Sequence, residues 1–306
     1  MLSTLQPQFR SLVLTHDIPR PISRRLNARA FPPLPNELIH LIFEFAATQH
    51  YDACKTLCLV SHGARMVVLP YLMKTIVILE ENHWILDKRT WITHVSSGDL
   101  WVSPTAFTKN LYISPTIGPD TDPSGMKLLT ICSRCPNANN IALSGDTLQQ
   151  IMETEAHRVL QSCTFQITVH DASNPKHHQF LVTGPNLRHP FLDRIKGLRL
   201  DEVPDSTVAP LDLRPFRSLD NITLGVFDRN AEHLESLVAA VQDVRGLRRI
   251  AIALPIRAFS AARNAPVLLD IVRDRAKTDS RLISVQIKTL SWRRWYQCTV
   301  EEGSIL

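Results

Sequence analysis

A short apolar-x-apolar pattern recurs along the last two thirds of the chain and constrains its fold more than any other feature of the sequence. The segment Leu198-Arg199-Leu200 is typical, and a weaker form begins at Phe165. The seven occurrences begin at positions 111, 141, 165, 198, 222, 250 and 285. Apolar residues that alternate with other residues indicate a β-strand. The pattern therefore predicts seven short strands that begin 24 to 35 residues apart.

Helices are predicted in the segments between these strands. Asn230 can cap a helix with one buried face. Its apolar residues are Leu234, Leu237, Val238 and Val241. A similar helix, with Leu268, Ile271 and Val272, follows Asn264, and a third follows Ser124. Because helix and strand alternate about every 29 residues, the sequence predicts a parallel sheet with helices outside it.

Residues 34–78 have a different pattern, dense in apolar residues at helical spacing. Pro35 suits the first turn of a helix, where its missing N–H costs nothing. Two neighbouring apolar stripes then run along this helix. One stripe is Leu38, Leu41, Ile42 and Phe45, and the other is Ile39, Phe43 and Ala46. One stripe can fill the local core, whereas the other needs a further partner within or outside the chain.

Two more short helices are predicted in the same segment. The second runs from Asp52 to Val60. Ser61 can cap the third, which Pro70 is expected to break or kink. Periodicity alone is also compatible with three ordinary core helices of an α-helical domain.

The order of residue identities in this segment resembles the F-box, the adaptor-docking module of cullin-based ubiquitin ligases. The motifs are Leu34-Pro35-Asn36-Glu37-Leu38-Ile39, Leu57-Cys58-Leu59-Val60-Ser61 with Arg65, and Pro70-Tyr71-Leu72. The resemblance is specific only over residues 34–78. It implies that adaptor contact and local core are provided by Leu34, Pro35, Leu38, Ile39, Ile42 and Phe43, and then by Leu59, Val60 and Arg65.

The remainder of the chain resembles degenerate leucine-rich repeats. The spacing of the strands is close to that of such repeats, and Cys135-Pro136-Asn137 is similar to a lead-in common in leucine-rich-repeat F-box proteins. The combination resembles the F-box family of mushroom-forming fungi. It implies an α+β fold overall, with a small N-terminal three-helix F-box followed by an irregular α/β leucine-rich-repeat-like solenoid over 79–306. A non-repetitive α/β domain is the alternative.

Residues 1–33 are predicted to be a disordered leader that is rich in proline and arginine. A nuclear-import signal or a contact with an acidic surface is the alternative reading of this segment. No 18-residue apolar run occurs, so no membrane span is expected. The six cysteines lack the spacing of a disulfide scaffold, which favours reduced thiols and an intracellular, cytoplasmic or nuclear, location.

The sequence shows no catalytic constellation, and neither a cofactor nor a metal ion is expected. Cys132 and Cys135 form a single C-x-x-C pair, which is more typical of core residues than of a four-ligand zinc site. Cys54 and Cys58 lie one helical turn apart and are also predicted to be core thiols. Solvated loops are the expected location of the histidines between 157 and 189. The ten glycines include no phosphate-binding motif.

Together these observations predict a non-enzymatic substrate-recognition subunit of an SCF-type ubiquitin ligase. Its expected partners are a Skp-type adaptor, a cullin bound through that adaptor, and an unknown protein substrate, with no membrane. Two alternatives remain: a scaffolding protein without a ligase role, and a nucleic-acid-binding module. The second is suggested by the basic leader and by Trp292-Arg293-Arg294-Trp295. Nucleic acid is the less expected ligand, because the Trp-Arg segment also suits a terminal cap of the repeats.

Overall fold

The computed structural model describes residues 34–49, 51–79, 104–170, 189–201, 211–225, 231–242, 244, 246–255 and 265–287. The chain divides into two compact units, residues 1–39 and residues 40–306. Of the first unit, the structure describes residues 34–39, which include the first turn of a helix. The second unit contains an eight-stranded parallel sheet.

The strands of this sheet follow one another in chain order. They are β1 Thr75–Ile78, β2 Asn110–Ile113, β3 Asn140–Ser144, β4 Phe165–His170, β5 Ile195–Leu200, β6 Asn221–Gly225, β7 Arg249–Pro255 and β8 Leu282–Ile287. Each strand pairs in parallel with the next one along the chain. Helices occupy several of the connections, as parallel pairing generally requires.

Eight α-helices occur in the described residues. Three precede the sheet: α1 Asn36–Gln49, α2 Tyr51–Leu57 and α3 His62–Leu72. The others are α4 Met126–Arg134, α5 Gly145–Glu153, α6 Ala156–Val159, α7 Ala231–Gln242 and α8 Ala265–Thr278. Short 3₁₀ turns lie at Pro104–Phe107 and Leu192–Arg194. None of these helices is long and apolar enough to cross a membrane.

One face of the sheet forms the apolar core. Successive residues of a strand point to opposite faces, so one register row gathers equivalent positions from all strands. The row of Ile76, Leu111, Ile141, Ile167, Leu198, Ile222, Ile250 and Leu282 is entirely apolar and buried. Burial of these side chains is the main favourable contribution to folding.

The opposite face of the sheet carries most of the polar residues of the strands. Its residues include a row that begins Thr75, Asn110, Asn140 and Gln166. The amide of Asn140 donates to Oδ1 of Asn110 at 3.1 Å, and the amide of Asn110 donates to Oγ1 of Thr75 at 2.8 Å. These bonds satisfy polar groups that would otherwise be costly to bury.

The predicted helices of the second half are confirmed where they can be compared. The four apolar residues predicted for one helix face are all buried on α7. On α8, Leu268 and Val272 are buried and Ile271 is partly buried against the core. The proposed caps Asn230 and Asn264 lie outside the described residues.

The predicted strand positions and the parallel pairing are confirmed, but the predicted fold class is wrong. The fold is α/β with a single all-parallel sheet, and not an α+β arrangement of a three-helix F-box followed by a leucine-rich-repeat solenoid. The first strand, β1, lies inside the segment assigned to the three-helix module. Its sequence, Thr75-Ile76-Val77-Ile78, is β-branched throughout and therefore favours a strand. Leu69 and Met73, at the end of α3, belong to the same core as the sheet.

A close backbone approach makes Gly225 a position where side chains are not tolerated. A Cβ atom there would overlap the backbone carbonyl of Asp201 and lie 3.1 Å from that of Leu200. We expect Gly225→Ala to lower the free energy of unfolding by about 2 kcal/mol. Gly63, inside α3, has its nearest neighbour at 3.9 Å, so Gly63→Ala is the control and should raise stability by about 0.5 kcal/mol. Urea denaturation measures both, and a Gly225→Ala protein as stable as the wild type would contradict the expectation.

Candidate docking surface

Helices α1, α2 and α3 enclose a small apolar core of their own. Ala47, Cys54 and Val68 are its buried members, one from each helix. Phe43 and Leu57 pack against it from α1 and α2. The thiol of Cys54 also donates to the carbonyl of Ala47 at 3.3 Å. Only one side of α1, with Phe43 and Ala47, packs in this core.

Large apolar side chains on α1 remain exposed to solvent. Leu41 and Ile42 are both more than half exposed, and Phe45 is 68% exposed. Phe45 is four positions from Leu41 and three positions from Ile42, so the three side chains lie on one broad face of the helix. The sequence predicts that one apolar stripe of α1 faces the local core and that the other has no partner within these helices. The exposed residues Leu41, Ile42 and Phe45 and the inward-facing Phe43 are consistent with this prediction.

The turn between α2 and α3 adds further exposed apolar groups. Leu59 is 74% exposed and Val60 is also exposed, as is Met66 on α3. The backbone N–H groups of Leu59 and Val60 donate to Thr56 and Leu57, each at 3.1 Å. The turn is therefore held in place while its side chains point outward.

Ser61 fixes the start of α3. Its hydroxyl oxygen accepts a hydrogen bond from the N–H of Ala64 at 3.0 Å, so the predicted N-cap is confirmed. The helix continues through Pro70 to Leu72, so Pro70 does not break it, and the predicted alternative, a kink, stays a prediction. We define the docking surface as the exposed apolar side chains of α1, of the turn between α2 and α3, and of α3. They are Leu41, Ile42, Phe45, Leu59, Val60 and Met66.

Exposed large apolar residues are concentrated in this part of the chain. Of eight such residues in the described segments of the second unit, six lie between positions 41 and 66, and the other two are Met126 and Val267. Single exposed apolar residues are normal on any protein surface, whereas a concentration of them marks an interaction site.

The residues predicted for adaptor contact divide between exposed and partly buried positions. In the first unit, Leu34, Pro35 and Leu38 are exposed and Ile39 is partly buried. In the second unit the exposed members are Ile42, Leu59 and Val60, and the partly buried ones are Phe43 and Arg65. Their contact with an adaptor remains a prediction.

Three members of the docking surface were not among the predicted contact residues. Leu41 and Phe45 belong to the helical stripe recognised in the sequence, and that spacing was the signal that could have selected them. Met66 gave no comparable signal, because an isolated methionine on a short helix is equally typical of a core residue.

Burial raises the pKa of both thiols in the three-helix segment, Cys54 and Cys58. Burial raises the pKa of Cys58, and the charge of Arg65 opposes that rise. Burial also raises the pKa of Cys54, with a further contribution from Cys58. Both side chains are therefore neutral near pH 7 and suit the apolar setting, Cys54 in the small core itself and Cys58 packed against it.

The second cysteine pair lies in the core of the sheet, which confirms its prediction as core residues. Cys132 ends the buried face of α4, and Cys135 follows the helix. Burial raises the pKa of Cys135 to about 12 and raises that of Cys132 as well. Within the described ranges, no group of three or more histidine, cysteine, aspartate or glutamate side chains could hold a metal ion.

The prediction of solvated loop histidines is wrong for His170, which is the last residue of β4 and is buried. His157 and His189 are partly buried, and their ring centroids are 4.7 Å apart. Burial lowers the pKa of His189, and the proximity of His157 lowers it further. The remaining two, His177 and His178, lie outside the described residues, as do the leader 1–33 and the segment Trp292–Trp295.

Neither a protein-family model nor a curated protein matches this chain. A functional assignment therefore depends on the residues and the geometry described above.

Proposed function

We propose that this protein is the substrate-recognition subunit of an SCF-type cullin-RING ubiquitin ligase. The docking surface binds a Skp-type adaptor, which in turn binds a cullin, and the α/β unit holds a protein substrate for ubiquitin-dependent degradation. Such a subunit performs no chemistry. It raises the effective concentration of the substrate near the ubiquitin-carrying enzyme.

The observation that carries the proposal is the exposure of large apolar side chains on α1, on α3 and on the turn before α3, in a segment whose sequence resembles an F-box. The side chains that face inward already fill a local core, so the outward ones are free to be buried by another protein. At about 25 cal/mol per Å² of buried apolar surface, a few such anchors account for most of the binding energy of an interface.

Retention of a purified Skp-type adaptor by the full chain tests the proposal. We expect the wild type to retain the adaptor as well as an established F-box protein does under the same conditions. Replacing Leu34 and Pro35 together with Ala should weaken retention. If the wild-type chain fails to retain the adaptor, the proposal is wrong.

Ubiquitin transfer separates a ligase subunit from a scaffold. A ligase reconstituted with the adaptor, cullin and RING subunit should ubiquitylate proteins captured by this chain, and transfer should stop when the cullin is omitted. Adaptor binding without cullin-dependent transfer would instead favour the scaffolding role. We place the site of action inside the cell, in the cytoplasm or nucleus, because the adaptor and cullin act there.

A further inference from the structure

A row of residues, most of them charged, follows the edge of the sheet at the amino ends of the strands. The backbone N–H of Lys109 donates to the carbonyl of Lys74 at 2.8 Å. In the same way Asp220 donates to Lys196 at 2.8 Å, and Arg248 donates to Asp220 at 2.7 Å. We call this set the amino-end row. From β1 to β7 its members are Lys74, Lys109, Asn139, Phe165, Lys196, Asp220 and Arg248.

A β-bulge brings Lys196 to the surface of the amino-end row. Phe165 pairs with Ile195, whereas the next residue of β4, Gln166, pairs with Gly197. The extra residue of β5 is therefore Lys196, which is exposed between two buried neighbours. Bulges redirect side chains and are common beside functional sites. Here the bulge adds an exposed cation to the edge of the sheet.

The amino-end row carries more positive than negative charge. Its cations are Lys74, Lys109, Lys196 and Arg248, and its one carboxylate is that of Asp220. Oδ2 of Asp220 is 3.8 Å from Nζ of Lys196, and its Oδ1 is 4.0 Å from Nε of Arg248. The two cations therefore lie close together beside one carboxylate, which cannot neutralise both. Because both separations exceed the length of a hydrogen bond, neither is a hydrogen bond to Asp220.

The cations of the amino-end row are accessible to another molecule. The side chain of Arg248 is 82% exposed and that of Lys196 is 48% exposed. Lys74 and Lys109 are exposed as well. Exposed ion pairs contribute little to the stability of a fold, so stability does not account for this row. A surface with an excess of one charge attracts a partner of the opposite charge.

The spacing of the row selects an extended partner. Neighbouring strands are about 4.8 Å apart, so Lys109 at β2 and Lys196 at β5 are about 14 Å apart, and the whole row spans about 29 Å. An extended chain rises about 3.3 Å per residue, so about nine residues cover this length. Between the two groups of cations lie Asn139, which is uncharged, and Phe165, which is buried. The complementary segment has acidic residues at both ends and uncharged residues between them.

A protein segment fits this pattern better than a nucleic acid does. A polynucleotide carries a phosphate on every nucleotide, so it would bring negative charge to Asp220 as well as to the cations. Single strands also gain affinity when their bases stack on aromatic side chains, and the one aromatic member of the row, Phe165, is buried. A peptide can place an uncharged residue opposite Asp220 and carboxylates on either side of it.

We infer that the amino-end row binds an extended acidic segment of another protein. The carboxylates of this segment pair with Lys74 and Lys109 at one end and with Lys196 and Arg248 at the other. In a ligase subunit the segment belongs to the substrate. That assignment rests on the proposed function, whereas the binding itself does not, because the row shares no residue with the docking surface.

Fluorescence anisotropy with the full chain and two labelled peptides, without an adaptor, tests the inference. The peptides have the same length and composition, with four glutamates among glycines and serines. In the first peptide two pairs of glutamates are separated by about four residues, which cover about 14 Å. In the second peptide the glutamates are consecutive. We expect the first to bind at least about threefold more tightly, because it can pair with both groups of cations and each exposed ion pair contributes up to about 1 kcal/mol.

A charge reversal in the row provides the second measurement. Arg248→Glu should weaken binding of the first peptide at least about fivefold, because it replaces an attraction with a repulsion. The matched control is Arg273→Glu on α8, which changes the net charge by the same amount at a side chain that is 64% exposed. Arg273 lies outside the row, so this variant should bind the peptide as the wild type does. Both variants should unfold at the wild-type denaturant concentration, because both positions are exposed.

Equal binding of the two peptides or unchanged affinity in Arg248→Glu would overturn the inference. An equal loss in Arg273→Glu would also overturn it, since net charge alone would then explain the attraction. Tighter binding of a single-stranded oligonucleotide with the same net charge would assign the row to nucleic acid instead. Peptide binding by a chain that fails to retain the adaptor would support this inference and contradict only the ligase role.

Discussion

Phe45→Glu is expected to weaken binding of a Skp-type adaptor by at least about 100-fold. The Phe45 side chain is 68% exposed on the outward face of α1, where a partner would cover it. A buried carboxylate without a counter-charge costs several kcal/mol, and about 2.7 kcal/mol already corresponds to this change in affinity. Phe45→Ala, which only removes contact area, should cost about 2 kcal/mol. Calorimetry with the purified adaptor measures both.

The matched control for this substitution is Met126→Glu. Met126 lies on α4 and is 60% exposed, so it resembles Phe45 in size and exposure but is not on the docking surface. Both variants should unfold at the same denaturant concentration as the wild type, because neither side chain is in a core. Full adaptor affinity in Phe45→Glu, or an equal loss in Met126→Glu, would show that the interface is elsewhere.

The largest loss of stability is expected for Asp201→Asn. This change removes the negative charge opposite Arg199, whose side chain is only 7% exposed. A buried charge left without its partner typically costs about 3–5 kcal/mol. Urea denaturation near pH 7 measures the difference in the free energy of unfolding.

The cost of Asp201→Asn should depend on pH in a defined direction. Burial alone would raise the pKa of Asp201 in the folded protein. The hydrogen bond from His170 and the charge of Arg199 outweigh burial, so the pKa is lowered. The ionised carboxylate therefore contributes its full stability above the unfolded-state pKa of about 3.9, and this contribution is lost as the pH falls through the folded-state value. The difference between variant and wild type should be constant from about pH 5 upward to pH 7 and shrink below about pH 4.

A second substitution separates the charge effect from a general loss of packing. In the double variant Arg199→Met with Asp201→Asn, no charge remains unpaired at this position. It should be more stable than Asp201→Asn alone. The single variant leaves the Arg199 cation buried without its partner, whereas the double variant carries neither charge. A double variant at least as unstable as the sum of the single ones would contradict a buried ion pair.

The sheet was predictable from the sequence because its strands carry their own signal. Ile222-Thr223-Leu224 and Ile250-Ala251-Ile252 alternate along the chain, and both form strands of the core. The strand at Thr75–Ile78 was missed because motif identity assigned it to a helical module, although its β-branched residues favour extended structure. The predicted fold class is wrong for the same reason, because β1 joins the segment that follows α3 to the parallel sheet.

The docking surface and the buried polar cluster of His170, Arg199 and Asp201 differ in how far a sequence can predict them. The exposed stripe of α1 follows from helical spacing, which is local. Tyr112, His170 and Asp201 are far apart in the chain, and only the register of β2, β4 and β5 brings them together. The sequence around His170 contains no motif that would distinguish it from a surface histidine.

The order of the strands has a consequence for how the protein is made. Each pairing joins residues that are close in sequence, from 24 residues apart between Gly197 and Asn221 to 35 between Thr75 and Asn110. Domains are completed from the N-terminus during synthesis, and short loop closures cost little entropy. We expect the sheet to grow one strand at a time behind the ribosome. Helices α2 and α3 leave the ribosome before the first strand, so an adaptor could engage the nascent chain before β8 has been translated.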